Sequence, residues 1–150
     1  MVPGVMQEHS QPEALSLYDR LLARGWRMTA QRRAVSRALD GEHLHLTADE
    51  VFARAQALLP EVSLATIYNT LNDLVAMGEL REIAAARGPA RYDPNMAPHH
   101  HLMCVDCGAI RDVDLAPADL DLRPEPGHGF ELLAVDVTLR GRCPACADDA

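Results

Sequence analysis

Residues 59–72 read Leu59-Pro-Glu-Val-Ser63-Leu-Ala-Thr-Ile-Tyr68-Asn-Thr-Leu71-Asn72. Pro60 cannot continue a preceding helix, and Ser63 is a favoured N-cap for a following one. From there Leu64, Ile67, Leu71, Leu74 and Val75 recur at helical spacing until Gly78, which predicts a helix with one apolar stripe. The opposite face carries Ser63, Thr66, Tyr68, Asn69 and Asn72, short or planar hydrogen-bonding groups suited to phosphates and base edges.

Working upstream, Thr47 with Glu50 three residues on forms a capping box for a helix that turns Val51, Phe52, Ala55 and Leu58 inward. Thr29 caps an earlier helix with Val35, Ala38 and Leu39, ended by Gly41, and the spacing of Leu15, Tyr18, Leu21 and Leu22 predicts a first helix from Glu13 to Gly25. Residues 1–12 read as a flexible arm. Downstream, residues 80–84 and 90–93 are extended segments separated by an Ala-Arg-Gly-Pro turn. Helix, short connection, helix and hairpin is the order of a winged helix-turn-helix. Periodicity alone would favour a small helical domain with an appended hairpin; the polar face of the residue 63–72 helix turns the reading toward DNA.

Charge separates the chain into two parts. The 150 residues carry a net charge of −8, and every basic side chain is Arg. Residues 1–92 hold ten Arg against eleven acids, a net of −1, whereas residues 93–150 hold four against eleven, a net of −7. Six Arg and no acid lie between Arg20 and Arg37, so Arg24, Arg27, Arg32 and Arg33 can neutralise phosphate beside the residue 63–72 helix. An acidic total averaged over the chain would argue against nucleic acid; read by segment, it does not. No apolar run approaches the ~20 residues of a membrane helix, and the start of the chain lacks a basic and an apolar leader region, so a cytoplasmic protein is expected.

The second part predicts short strands over residues 99–105, 109–113 and 130–139 with a short helix at 117–120, hence an α+β protein with helices first and a sheet afterwards. Cys104-x-x-Cys107 and Cys143-x-x-Cys146 account for all four cysteines. Four thiolates make a closed, structural Zn site with no open position, the competing arrangement being disulfides. In an extended segment His99 and His101 share a face and Cys104 takes the other, so the histidines point to a separate site. Asp93 and Asp112, near the ends of the hairpin, can complete a mixed N/O set suited to Fe(II), Mn(II) or Zn.

Arg27-Met-Thr-Ala-Gln-Arg32, His45-Leu-Thr-Ala-Asp-Glu-Val-Phe52, Ser63-Leu-Ala-Thr-Ile-Tyr-Asn-Thr-Leu71, Ala90-Arg-Tyr-Asp93 and His99-His-His-x-x-Cys-x-x-Cys-Gly108 follow one another in an order that resembles the ferric uptake regulator family, from about residue 15 to 146. The resemblance implies a homodimeric, metal-dependent repressor of a palindromic double-stranded DNA operator. Its architecture would be an N-terminal winged helix-turn-helix over 13–92, a hinge at 93–97 and a small α/β dimerisation domain over 98–150. It implies structural Zn on Cys104, Cys107, Cys143 and Cys146, and regulatory Fe(II) or Mn(II) on His45, Asp93, His99, His101 and Asp112. It also implies DNA contacts from Arg27, Arg32 and Tyr68, with Asn69 beside the last, in addition to Ser63 and Thr66 from the helix face itself. Asp at 93 and 112, where iron-sensing members commonly carry Glu, and Asn after Tyr68 are similar to the peroxide-sensing subgroup, in which bound Fe(II) leads to oxidation of a ligand imidazole, here His45 or His99. The family's further interface site would fall on Pro98, His100, Asp119 and Val135, only two of which bind metal well, so no complete third site is expected; His128 reads as a loop residue.

Two other classes fit parts of the sequence. A mononuclear metalloenzyme could use three His and two Asp with an open position, but no nucleophile and base motif and no phosphate-cradling loop accompanies them. A metal buffer would need no DNA.

Overall fold

The computed structural model describes residues 15–116, 119, 129–131 and 133–148. The helices expected in the first part are present: α1 (Leu17–Ala23), α2 (Ala30–Ala38), α3 (Ala48–Leu58) and α4 (Leu64–Ala76). Their starts are chemical. Ser16, Thr29, Thr47 and Ser63 each accept a backbone N–H of the first turn, and Glu50 returns a bond to the Thr47 N–H at 2.8 Å, completing the capping box. The first helix begins later than Glu13 because Ser16, not the acid before it, caps it.

Their apolar stripes meet in one core of fifteen buried residues, among them Leu21, Val35, Leu39, Val51, Ala55, Ile67, Leu71 and Leu74, closed at the far end by Val62, Leu80 and Tyr92. Complete burial of a Leu or Ile contributes about 1.5–3 kcal/mol, so this cluster holds the first part together. Four residues expected inward are exposed: Leu15, Leu22, Leu58 and Leu64. Leu58 and Leu64 lie in the last and first turns of their helices and project past the packed region; Leu22 is rotated one residue, ~100°, off the buried Leu21.

The hairpin is β2 (Arg81–Ile83) and β3 (Arg91–Asp93), antiparallel with Arg81 opposite Asp93. A third strand, β1 (Leu46–Thr47), joins its other edge with Leu46 opposite Tyr92, giving the sheet order β1-β3-β2. Two residues are too few to show a strand period, so this addition was not predictable. It matters because it fixes the segment that carries His45.

The second sheet has the order β5-β4-β6, from β4 (His100–Cys104), β5 (Ile110–Val113) and β6 (Thr138–Gly141). β4 and β5 pair antiparallel around the Cys107-Gly108 turn, while β6 joins β4 in parallel with Leu139 opposite Leu102. The strand expected over 130–139 is shorter and displaced to 138–141. Phe130 and Leu133 are 80% and 86% exposed, and no strand among the described residues pairs with them. Of the helix expected at 117–120 only Asp119, in a single helical turn position, is described, and His128 lies outside the described residues. A closing helix, α5 (Pro144–Asp148), carries Cys146 and begins directly after Cys143; Pro144 sits at its first position, where a missing N–H is harmless. No helix among the described residues is long and apolar enough to cross a membrane.

Candidate metal centres and nucleic-acid face

Strand register builds the mixed site. One step beyond Leu46 opposite Tyr92, antiparallel pairing puts His45 across from Asp93. In the second sheet His101 is the register partner of Asp112. Directly opposed residues share a sheet face, so each sheet offers one His and one Asp, and the two pairs face each other across the junction. His99, just before β4, completes a set of five whose ligand atoms all lie within 4.8 Å of one another.

The local geometry is tight. Asp93 Oδ2 lies 2.7 Å from His99 Nε2, 3.1 Å from His101 Nε2 and 3.4 Å from His45 Nε2. Its other oxygen accepts the Asn95 backbone N–H at 2.8 Å, which leaves a single oxygen for the cluster. His99 Nδ1 donates to the Ala97 carbonyl at 2.7 Å, which fixes the ring with Nε2 turned inward. Burial alone would raise the Asp93 pKa, but the imidazole of His45 beside it, the Asn95 N–H, His99 and His101 outweigh it and hold the carboxyl well below its usual range. Burial lowers the His101 pKa, and the neighbouring imidazoles reinforce that shift against Asp93. For His45 the penalty of burial is overcome by Asp93 and Asp112, which raise the ring's pKa.

One contact shows that these residues fit a cation. His45 Nε2 and Asp112 Oδ1 are buried and 2.9 Å apart, yet the approach lacks hydrogen-bond geometry and both atoms are unsatisfied. Unpaired buried polar atoms are rare. Three imidazoles and two carboxylate oxygens aimed at one point would satisfy a divalent ion of the Fe(II) or Mn(II) type.

The four cysteines also converge, their sulfurs within 4.8 Å of one another. All are unbridged, and Cys107 Sγ lies 3.8 Å from Cys143 Sγ. A disulfide needs roughly 2.05 Å, whereas Zn–S bonds of about 2.3 Å at tetrahedral angles put sulfurs about 3.8 Å apart. Backbone N–H groups of Cys107 and Cys143 lower the Cys104 thiol pKa to about 6. Neighbouring sulfurs of Cys143 and Cys107 push that of Cys146 up to about 12. A bound cation would offset the repulsion among four thiolates held this close.

Arg91 links the two clusters. It donates from Nη1 to the His45 carbonyl at 3.0 Å and from Nε to the Gly108 carbonyl, beside Cys107, at 3.1 Å. Gly108 has φ +76°, and a Cβ there would approach the Arg87 carbonyl oxygen to 3.1 Å, so the cysteine turn lies hard against the hairpin loop.

On the helical face, Tyr68, Asn69 and Asn72 are exposed along α4, and Ser63 and Thr66 are drawn into capping its first turn, their hydroxyls 2.9 Å apart. Arg27 and Arg33 are exposed. Arg32 stacks over Trp26 at 4.1 Å and donates to the Arg27 carbonyl, and Arg37 stacks over Tyr18. Arg24 does not remain available for phosphate, because it joins Arg20 on Glu79 at 2.9 Å. His100 bonds the Val137 N–H instead of joining either cluster.

Two residues at the mixed site carry no obvious sequence signal. Arg91 reads as a polar strand position. His43 reads as a loop residue, although its alternation with His45 was a clue; it bonds Asp112 Oδ2 at 2.7 Å.

Known proteins offer a comparison for this geometry. A family model described as the ferric uptake regulator family matches residues 23–140. The ferric uptake regulation protein of Synechococcus elongatus is 34% identical over 140 residues, covering 89% of this chain and 94% of that protein. The peroxide-responsive repressor PerR of Staphylococcus aureus is 30% identical over 142 residues, 94% of each. Among solved structures, the Helicobacter pylori ferric uptake regulator aligns with a TM-score of 0.72 at 21% identity, covering 88% of this chain and 92% of that one. The Campylobacter jejuni peroxide stress regulator aligns at 0.65 and 28%, covering 88% and 100%.

Proposed function

The chain belongs to the ferric uptake regulator family, and from that premise we propose that it is a homodimeric, metal-dependent transcriptional repressor of the cytoplasm that responds to peroxide. Residues 13–92 are the DNA-binding unit, 93–97 the hinge and 98–150 the dimerisation unit. The observation that carries this reading is the five-residue cluster in which His45 comes from the DNA-binding unit, Asp93 from the hinge, and His99, His101 and Asp112 from the unit beyond.

Ligands divided in this way make binding depend on conformation. An ion that needs all five favours the arrangement in which the two sheets face each other, by its differential affinity for that arrangement. In a twofold dimer this fixes the separation of the two α4 helices, which must match operator half-sites about 34 Å apart. Tyr68, Asn69 and the first turn of α4 then meet the groove, and Arg27, Arg32 and Arg33 meet phosphate. The dimer is supported by Leu102 and Leu139, paired in register on the sheet face away from His101 and each 40% exposed. Zn on Cys104, Cys107, Cys143 and Cys146 fastens the end of the chain to that sheet.

Peroxide sensing is supported by the two short carboxylates and by the likeness to the peroxide-responsive repressor. Fe(II), when bound, would supply the redox chemistry that activates hydrogen peroxide beside the imidazoles. The net change adds one oxygen atom to the ring of His45 or His99 and releases water, after which the ligand set is broken. The alternative, an iron or manganese uptake regulator without peroxide sensing, is favoured by the 34% identity to a ferric uptake regulation protein.

The test is a DNA-binding titration on a palindromic operator with Fe(II), Mn(II) or Zn(II), each repeated after peroxide, with mass spectrometry of the protein. Salt-sensitive binding that needs metal, lost after peroxide only in the Fe(II) form with one oxygen added to the His45 or His99 peptide, is the expected result. Metal-dependent binding that survives peroxide without added oxygen would leave the uptake regulator. Peroxide turnover without self-oxidation would indicate an enzyme instead.

A further inference from the structure

We propose that His43 is a positioning residue of the mixed metal centre, acting through Asp112. The inference rests on the reading of that cluster as a regulatory metal site. Asp112 has two oxygens with different surroundings. Oδ1 faces His45 at 2.9 Å and His99 and His101 at 3.5 Å each. Oδ2 turns outward to His43 Nδ1 at 2.7 Å. A carboxylate only accepts, so the ring nitrogen donates, and the contact is charge-assisted.

The backbone indicates that His43 is held in place. Its φ of +55° is the only positive value at a non-glycine among the described residues. Such a conformation is uncommon at non-glycine residues, though His adopts it more readily than most, and it is found often beside functional sites. On either side of it the loop is tight, Leu44 packing so closely on Gly41 that a Cβ at Gly41 would come within 2.8 Å of it. His43 thus stands on the wall of an open cleft of about 320 Å³ that it shares with Ile110, Arg111, Asp112 and Asp114, with Asp112 between it and the cluster.

The consequence concerns the donor count. Asn95 occupies the outer oxygen of Asp93 and His43 that of Asp112. Each carboxylate therefore presents one oxygen, and with three Nε2 atoms the protein offers five donors. Without His43, Asp112 is free to rotate about its side-chain torsions and present either oxygen or neither.

Asparagine provides the discriminating substitution. Its amide nitrogen stands the same number of bonds from Cα as His Nδ1, it donates a hydrogen bond, and it tolerates positive φ. In the Zn-loaded full chain, Mn(II) affinity would be measured by competition with a chelator for wild type, His43→Ala, His43→Asn and Asp112→Ala. Zn content and Trp26 fluorescence on melting would serve as checks on folding. The expected result is about tenfold or greater weakening in His43→Ala with recovery to within roughly threefold in His43→Asn. Unchanged affinity in His43→Ala, with wild type binding and Asp112→Ala not, overturns the inference and leaves the proposed function standing. Equal loss in the Ala and Asn variants also overturns it, making the ring itself a ligand. Failure of the wild-type chain to bind Mn(II) overturns the proposed function and this inference together.

Discussion

The two halves of the molecule are held together by different physics. The first carries a cluster of fifteen buried apolar residues, closed by four capped helices. Beyond Asp93 the buried apolar residues among those described are Met103, Cys104 and Ile110. Three such residues in the described part of a three-stranded sheet supply little hydrophobic stabilisation. The described residues of this half bring four cysteines to one point and leave Leu102 and Leu139 exposed on one sheet face. The first half is stable by burial, and the second gathers the ligands of an ion.

The largest expected effect comes from removing the structural ion. Stripping Zn by chelation, or Cys107→Ser, should withdraw a stabilisation on the order of 10 kcal/mol from the second half. Circular dichroism should show the helices of the first half retained, while sedimentation shows loss of the dimer. Simultaneous collapse of both halves would erase the comparison.

Next in size is Leu71→Ala at a fully buried core position. It should destabilise the first half by about 2–5 kcal/mol, read from urea melts of the single tryptophan, Trp26, while the Zn content stays unchanged. A smaller effect is expected at Glu79, which joins α1 to the start of the hairpin through Arg20 and Arg24. Burial works against its charge, but the bonds from Arg20 and Arg24 dominate and lower its pKa from 4.5. Glu79→Gln should cost about 1–2 kcal/mol at pH 7, discounted for the exposure of Arg24. Since the folded-state pKa is the lower one, this contribution is present above the ordinary value of 4.5 and fades as pH falls through the depressed value. The gap between variant and wild type in the Trp26 melt should therefore close in acid. Smallest is Thr47→Ala, which removes half of the capping box and should cost about 1 kcal/mol, read in the same melt.

The helices of the first half were legible because each rule that defines them is local. Thr29, Thr47 and Ser63 name the starts, glycines or Pro60 name the ends, and 3.6-residue spacing names most of the buried face. The rules failed at Leu58 and Leu64, where periodicity was correct but the neighbouring helix ran out. In the second half the strand at 138–141 was misplaced, since its pairing with β4 joins segments 37 residues apart in register, His101 with Thr138. The cluster of four cysteines was readable from its spacing, and the four residues of the mixed cluster beyond position 92 from alternation and residue type. His45 entered only through the family resemblance, and Arg91 and His43 not at all.

The sequence by itself determined the four helices, the hairpin, the division of charge and the kinds of ligand available, because each depends on residues close together in the chain. Only the tertiary structure decided that the ligands meet. Two-residue β1 sets His45 opposite Asp93, β4 and β5 set His101 opposite Asp112, and these pairs face each other across two sheets. Strand register and the contact between sheets depend on the whole chain, so no local pattern could announce them.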